Sequence, residues 1–216
     1  MRFEGLENAE ISLEFAIVKE EANFTFPGLK KAKKLTVTQG YNANLAIISF
    51  EDLEEVTGAM SLQEGSYVNN VVQPVQFPKL VKVGSFTYGG VLKTLSLPAL
   101  QEVTGVCSIG TCFTNGVPAM LESINLPALK RVGTLKLTIG GATGSNPNTV
   151  ITNLDCFENL ESAESVYIEK QMGLISYKGL AKVIAGLNDA EAWEVIGNAF
   201  NPTFEEVKAG KLEKEE

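Results

Sequence analysis

The sequence predicts a mainly β protein: a right-handed parallel β-solenoid closed at its C-terminal end by a small α/β cap. Three observations carry that reading. One motif returns eight times, each return is flanked by two period-2 segments, and the charges after the motif leucine change sign from copy to copy.

The motif stands clearest in Phe77-Pro-Lys-Leu80-Val-Lys-Val83, Leu97-Pro-Ala-Leu100-Gln-Glu-Val103 and Leu126-Pro-Ala-Leu129-Lys-Arg-Val132. Phe26 to Ala32, Phe50 to Val56 and Phe157 to Ala163 repeat it, and weaker copies start at Phe3 and Tyr177. The motif leucines (6, 29, 53, 80, 100, 129, 160 and 180) are spaced unevenly, so the copies differ in what lies between them rather than in the motif. Fixed self-similarity of this length marks a repeat architecture.

A short alternation precedes each leucine: Phe24-Thr-Phe26, Ile48-Ser-Phe50, Val75-Gln-Phe77, Leu95-Ser-Leu97, Ile124-Asn-Leu126. A second follows it: Leu35-Thr-Val37, Met60-Ser-Leu62, Phe86-Thr-Tyr88, Cys107-Ser-Ile109, Leu135-Lys-Leu137, Val166-Tyr-Ile168. Alternation puts the apolar members on one face of a strand. Between the strands, Pro-x-Leu-x-x-Val reads as a corner, with φ fixed by proline and Leu and Val turned inward. One strand–corner–strand unit cannot bury its own apolar face, whereas coils stacked at the strand spacing of roughly 4.8 Å bury all of them together.

The pairs after the motif leucine run Glu7/Asn8, Lys30/Lys31, Glu54/Glu55, Val81/Lys82, Gln101/Glu102, Lys130/Arg131, Glu161/Ser162 and Ala181/Lys182. Stacked in register they form a column in which each charge lies between two of opposite sign. Exposed ion pairs contribute only about 0–1 kcal/mol each, so the column's role is register, because a slip by one coil would set like charges together.

On this reading residues 1–176 form a solenoid of about seven coils, 177–210 a cap and 211–216 a disordered charged tail. In the cap, Leu180, Val183, Ile184 and Leu187 make a helical stripe. Trp193-Glu-Val-Ile-Gly197 alternates like a strand, and Asn201-Pro-Thr203 opens a short helix. Trp193 is read as core of the cap. An uncapped first coil presents a raw strand edge, which an upstream segment or a partner chain is expected to cover.

Composition removes whole classes of chemistry. With 18 Lys+Arg against 26 Asp+Glu the formal charge is −8, which argues against nucleic acid as a partner. No apolar run reaches the roughly 18–20 residues of a membrane-spanning helix. There is no histidine, so neither Ser-His-Asp nor Cys-His catalysis nor an imidazole metal site can be built. Three scattered aspartates (Asp52, Asp155, Asp189) make no calcium loop. No cofactor and no metal are expected. Cys107 and Cys156 are read as buried thiols in apolar strand slots, those of Leu135 and Leu97 in other copies. Cys112 lies in a loop, and a Cys107–Cys112 bridge stays open as an alternative.

At Leu92-Lys-Thr-Leu-Ser-Leu-Pro-Ala-Leu-Gln-Glu-Val103 and its copy Leu121 to Val132 the sequence resembles the leucine-rich repeats of BspA-like surface proteins of gut Bacteroidetes. Phe77 to Gly84 is similar to the coils of the receptor L domain, and Trp193 to Thr203 resembles a tail of the same bacterial surface proteins. The resemblance spans residues 3–183 and the tail. It implies an extracellular or outer-membrane interaction module that takes a protein or glycan of the host or of a bacterial surface, and it does not imply an enzyme. An export signal, or a lipid anchor, would then lie upstream of Met1. The cysteine framework of the receptor modules is missing.

Two surfaces are candidates for recognition. Thr25, Ser49, Gln76, Ser96, Asn125 and Ser176 share one outward column, a polar ladder of the kind that meets a repetitive glycan or ice surface, or simply solvent. The segments leaving the second strand are long after Leu62, Ile109 and Leu137, and should crowd one edge of the coil, where variable loops on a rigid scaffold recognise partners. The residues expected to bind there are Tyr41, Tyr67, Asn69, Asn70, Phe113, Asn115, Asn146 and Asn148; exposed rings and amides suit stacking and hydrogen bonding. Gly140–Gly144 lacks the lysine of a phosphate loop. The expected function is non-catalytic binding through this edge. The alternatives are a lyase-like polysaccharide enzyme, for which two arginines (Arg2, Arg131) are few, and a structural stalk segment.

Overall fold

The computed structural model describes residues 1–17, 22–42, 46–64, 75–90, 94–110, 121–138 and 149–215. The strands that follow each corner stack into one parallel sheet. They are β1 (Ala9–Ile17), β3 (Lys31–Asn42), β5 (Glu55–Glu64), β7 (Lys82–Gly90), β9 (Glu102–Gly110), β11 (Arg131–Thr138), β12 (Ser162–Glu169) and β13 (Trp193–Ile196), in that spatial order. The shorter strands before each corner stack on the other side. There β2 (Ala22–Thr25), β4 (Ala46–Ser49) and β6 (Val75–Gln76) make one sheet, and β8 (Thr94–Ser96) with β10 (Ser123–Asn125) makes another. All the strand pairs are parallel. The architecture is therefore the expected parallel β-solenoid. Five turns are complete with both strands formed (β2–β3 to β10–β11), fewer than the seven expected, because the two end coils lack a regular strand on the short side.

Four of the corners are hydrogen-bonded turns that close on the motif leucine: Leu53 donates to Phe50 O at 3.3 Å, Leu100 to Leu97 O at 3.2 Å, Leu129 to Leu126 O at 3.1 Å and Leu160 to Phe157 O at 2.9 Å. Pro78, Pro98 and Pro127 occupy the second turn position, whose φ proline already has. At Pro27-Gly28 the third position has φ +77°, the type II pattern that needs glycine. The leucines then enter one internal file: Leu29, Leu53, Leu80, Leu100, Leu129, Leu160 and Leu180 are all at most 1 % exposed. Alongside it Phe3, Phe26, Phe50 and Phe77 stack ring on ring, with centroids 4.8, 4.5 and 5.2 Å apart, the repeat distance of the coil itself.

The charge column forms as the sequence orders it. Lys31 pairs with Glu55 at 2.8 Å, Lys82 with Glu102 at 3.0 Å, Arg131 with Glu102 at 3.4 Å, and Lys130 with Glu161 at 3.5 Å. Beneath the side chains runs a backbone ladder. Lys30 O accepts from both Glu54 N and Glu55 N, Glu54 O from Val81 N and Lys82 N, and the pattern continues through Val81, Gln101 and Lys130. At the last coil the column breaks, since Lys182 Nζ donates to Glu158 O. The hydrogen-bonding Lys82 ammonium, with Arg131 beyond it, holds the Glu102 carboxyl below its ordinary range. A carboxyl depressed on folding contributes stability above its unfolded value of about 4.3, and that contribution is lost as pH falls through the lower folded value. Glu102→Gln is therefore expected to melt below the parent at neutral pH, with the gap shrinking in acid and in ~0.5 M salt. Thermal melts across pH and salt check this, and a gap that is constant in acid would refute it.

A glycine file was not foreseen. Gly58, Gly84, Gly105 and Gly133 follow the corner valines, where the register of the large sheet shifts. A Cβ on Gly84 would lie 2.5 Å from Thr57 O and 2.6 Å from Gly58 O, and one on Gly133 would lie 2.7 Å from Gly105 O. The carbonyls of one coil thus occupy the space where the next coil would carry a side chain.

The C-terminal end is closed. Leu180 ends a 3₁₀ turn (Lys178–Leu180) and α1 (Ala181–Gly186) follows, with Leu180, Val183, Ile184 and Leu187 all buried. Trp193 is core, as expected: its Nε1 donates to Pro202 O at 3.0 Å and its ring lies edge-on to Tyr177 at 5.5 Å. Yet its strand, β13, extends the large sheet beside β12, so the boundary drawn at residue 177 cuts through a continuous sheet. The second helix, α2 (Phe204–Lys208), starts in a capping box between Thr203 and Glu206. Residues 211–215, read from composition as a disordered tail, are tied down: Tyr177 N donates to Leu212 O, Lys214 N to Ile175 O, and Glu213 pairs antiparallel with Ser176.

Candidate binding faces

The described strand ends define the loop edge. Gln39 lies opposite Glu64, Glu64 opposite Gly90, Gly89 opposite Gly110, and Thr138 opposite both Gly110 and Glu169. Every connection from a long strand to the following short one therefore departs from one edge of the large sheet. The connections after β5, β9 and β11 (65–74, 111–120 and 139–148) are the long ones. Tyr67, Asn69, Asn70, Phe113, Asn115, Asn146 and Asn148 lie on them, outside the described residues, as does Cys112. Tyr41 lies on β3 near its end rather than beyond it, and its side chain is outside the description.

Between Gln63 on β5 and Thr138 on β11 this edge has a floor almost free of side chains, made by Gly89, Gly90 and Gly110. A Cβ at Gly90 would collide with the Tyr88 hydroxyl, and one at Gly110 would press on Thr138 O at 3.3 Å. The space a side chain would need at Gly90 and Gly110 is thus taken up by the protein itself, and Gly90 is buried. The sequence signal was present in Gly89-Gly90 and Gly110, but only the register shows that they are neighbours.

The outer face of the large sheet carries a second row. Ser12, Thr36, Ser61, Thr87 and Ser108 stand side by side on consecutive strands, followed by Lys136, Tyr167 and Glu194. Five hydroxyls in file offer donors and acceptors at the strand repeat, about 4.8 Å. At its C-terminal end Lys136 Nζ lies 5.0 Å from the centre of the Tyr167 ring, the Tyr167 hydroxyl donates to Glu169 at 2.8 Å, and Lys170 pairs with Glu169 at 2.8 Å. The Glu169 hydrogen bond pushes the Tyr167 hydroxyl up, while Lys170, helped by Tyr167, holds Glu169 low, so this corner stays a neutral phenol beside a carboxylate. The sequence analysis did not single out this row.

The polar ladder expected on the short side is real for most of its length: Thr25 lies opposite Ser49, Ser49 opposite Gln76, and Asn125 donates to Ser96 Oγ at 2.9 Å. Ser176 does not belong to an exposed column. It is buried under the C-terminal residues and donates to Glu213 at 3.1 Å. The cysteines also divide. Cys107 is a free thiol in the core opposite Leu135, pushed up to about 12 by burial. Cys156 is not in the slot of Leu97. Phe157 is, three residues before Leu160, and Cys156 sits partly exposed on a 3₁₀ turn (Asp155–Phe157), its thiol likewise pushed up to about 12 by burial. It lines a cleft of about 180 Å³ with Ile124, Val150 and Ile151, and a second of about 250 Å³ runs beside Arg131 and Gly133. Both are below the roughly 300 Å³ at which small-molecule pockets begin.

Among the described residues no three Cys, Asp or Glu side chains converge to hold a metal ion, and no helix is long and apolar enough to cross a membrane. Comparison with known protein families, with curated proteins and with solved structures gives no match to this chain.

Proposed function

We propose that this protein is a non-catalytic interaction module that holds a protein or glycan through the loops on one edge of its solenoid. The observation that carries the reading is the register of the strand ends, which sends the three long connections out from one side of a rigid sheet. A flat scaffold with length variation gathered on one side is the arrangement by which loops recognise partners without the scaffold changing. Among the described residues the strongly displaced ionisable groups are Cys107, Cys156 and Tyr177, all raised by burial, and Tyr177 donates its proton to Phe200 O; they serve packing rather than acid–base work. A place at the cell surface rests on the sequence resemblance alone.

An array of host and bacterial glycans and surface proteins tests the proposal, followed by variants in which 65–74, 111–120 or 139–148 is cut to the length of the connection 91–93. Binding that is lost with one or more of these cuts, at unchanged melting temperature, is the expected result. Unsaturated product released from polygalacturonate would replace the reading with a lyase, and silence on the array would favour a stalk segment.

A further inference from the structure

The two ends of the solenoid differ. At the C-terminal end the core is roofed, and Leu180, Val183, Ile184 and Trp193 are buried. At the other end, among the described residues, nothing lies against the outer side of the first coil. Of its inward residues Ile11 is buried, but Phe3, Leu6, Ala9 and Leu13 are only half-buried, whereas Phe26, Leu29, Ala32 and Val37, directly above these four, are at most 2 % exposed. Strand β1 is the outermost of the eight, so one row of its backbone groups has no strand partner in its sheet. Apolar core and unpaired strand edge coincide, which is the geometry of strand addition.

The charge pattern says what fits. The first coil exposes Glu4, Glu7, Glu10 and Glu14, with only Arg2, paired to Glu4, of the opposite sign among its described side chains; the second carries Lys30, Lys31, Lys33 and Lys34; the third carries Glu51, Asp52, Glu54 and Glu55. Glu10 lies opposite Lys34, and Lys31 opposite Glu55. Continued one step outward, the alternation calls for a basic coil. A second copy of this chain meeting the face through its own first coil would set four glutamates against four, and its other end is roofed.

We infer that the open face of the first coil is a docking site for a strand–corner segment of another protein, parallel to β1, that alternates apolar residues with lysine or arginine. This site lies at the end of the solenoid and is separate from the loop edge.

The chain supplies its own matched probes. A peptide of residues 24–38 copies the second coil with its four lysines, and one of residues 48–62 copies the third coil with its four acidic side chains. In low salt the basic peptide is expected to protect the β1 amides from hydrogen exchange and to bind at least about tenfold more tightly than the acidic one, a preference lost at ~0.5 M salt. The triple variant Glu7→Lys/Glu10→Lys/Glu14→Lys, all exposed positions, should reverse the preference; should it fail to fold, the exchange experiment on the parent still decides. Equal protection by both peptides, protection by neither, or β1 protection by dimerisation in the absence of peptide would each overturn the inference.

Discussion

Truncating Leu100 to alanine should lower stability by about 3 kcal/mol, whereas the same truncation at Leu6 should cost about 1 kcal/mol or less. Both leucines hold the same place in the motif, and both changes delete the same atoms, Cγ and its two methyl groups. Leu100 sits fully buried in the file between Leu80 and Leu129, where the parallel coils on either side are locked by the corner ladder and cannot collapse into the void. Leu6 is half-buried at the open end, with Gly5 beside it in a left-handed turn and no coil beyond it among the described residues. Urea unfolding of the two variants beside the parent measures the difference. Equal costs would mean that the first coil is covered in solution, which would overturn the open-face inference.

Solenoid energetics sharpen that expectation. Each coil touches only its neighbours, so stability is close to a sum of coil and interface terms, and a cavity in a central coil weakens two interfaces at once. The acidic and basic coils do not carry this load; the exposed pairs along the column contribute little apiece. They act on which coil meets which. The same separation of roles recurs at the two ends. Apolar closure is complete at the C-terminal end through α1 and Trp193, while the N-terminal end offers apolar surface with a sign attached.

What the sequence showed, and what it hid, divides along physical lines. The leucine file, both strand sets and the charge column were legible because each depends on local period and on residue type at a fixed distance from the motif. Features that depend on register across coils were not. Ser12, Thr36, Ser61, Thr87 and Ser108 are far apart in sequence and of mixed type, so only the pairing of β1, β3, β5, β7 and β9 makes them a row. Cys156 was misplaced because a 3₁₀ turn replaces the extended segment before Leu160, and counting by alternation fails where the strand is absent. The tail misled through composition: Glu213 and Lys214 look solvated, yet the backbone around them completes hydrogen bonds for Ile175 and Tyr177. The candidate loops are the part least written in local pattern, since their residues answer to a ligand and not to the repeat.

The glycine file yields the second large effect. Gly84→Ala should destabilise the protein by about 3 kcal/mol, while Gly186→Ala should be neutral or stabilise it by up to about 1 kcal/mol. The chemical change is identical, one methyl group, and neither glycine has positive φ. At Gly84 that methyl meets Thr57 O and Gly58 O at 2.5 and 2.6 Å, and both are backbone atoms of the adjoining coil, so relief requires the coils to separate at the register shift between β5 and β7. Separation there would also stretch the Val81 and Lys82 hydrogen bonds to Glu54 O. At Gly186, the last residue of α1, the methyl meets nothing within 4 Å and improves helix propensity. Paired melts of the two variants check the contrast. A benign Gly84→Ala would show that the coils can part without cost at this close approach, and the rigid scaffold on which the loop edge depends would have to be given up.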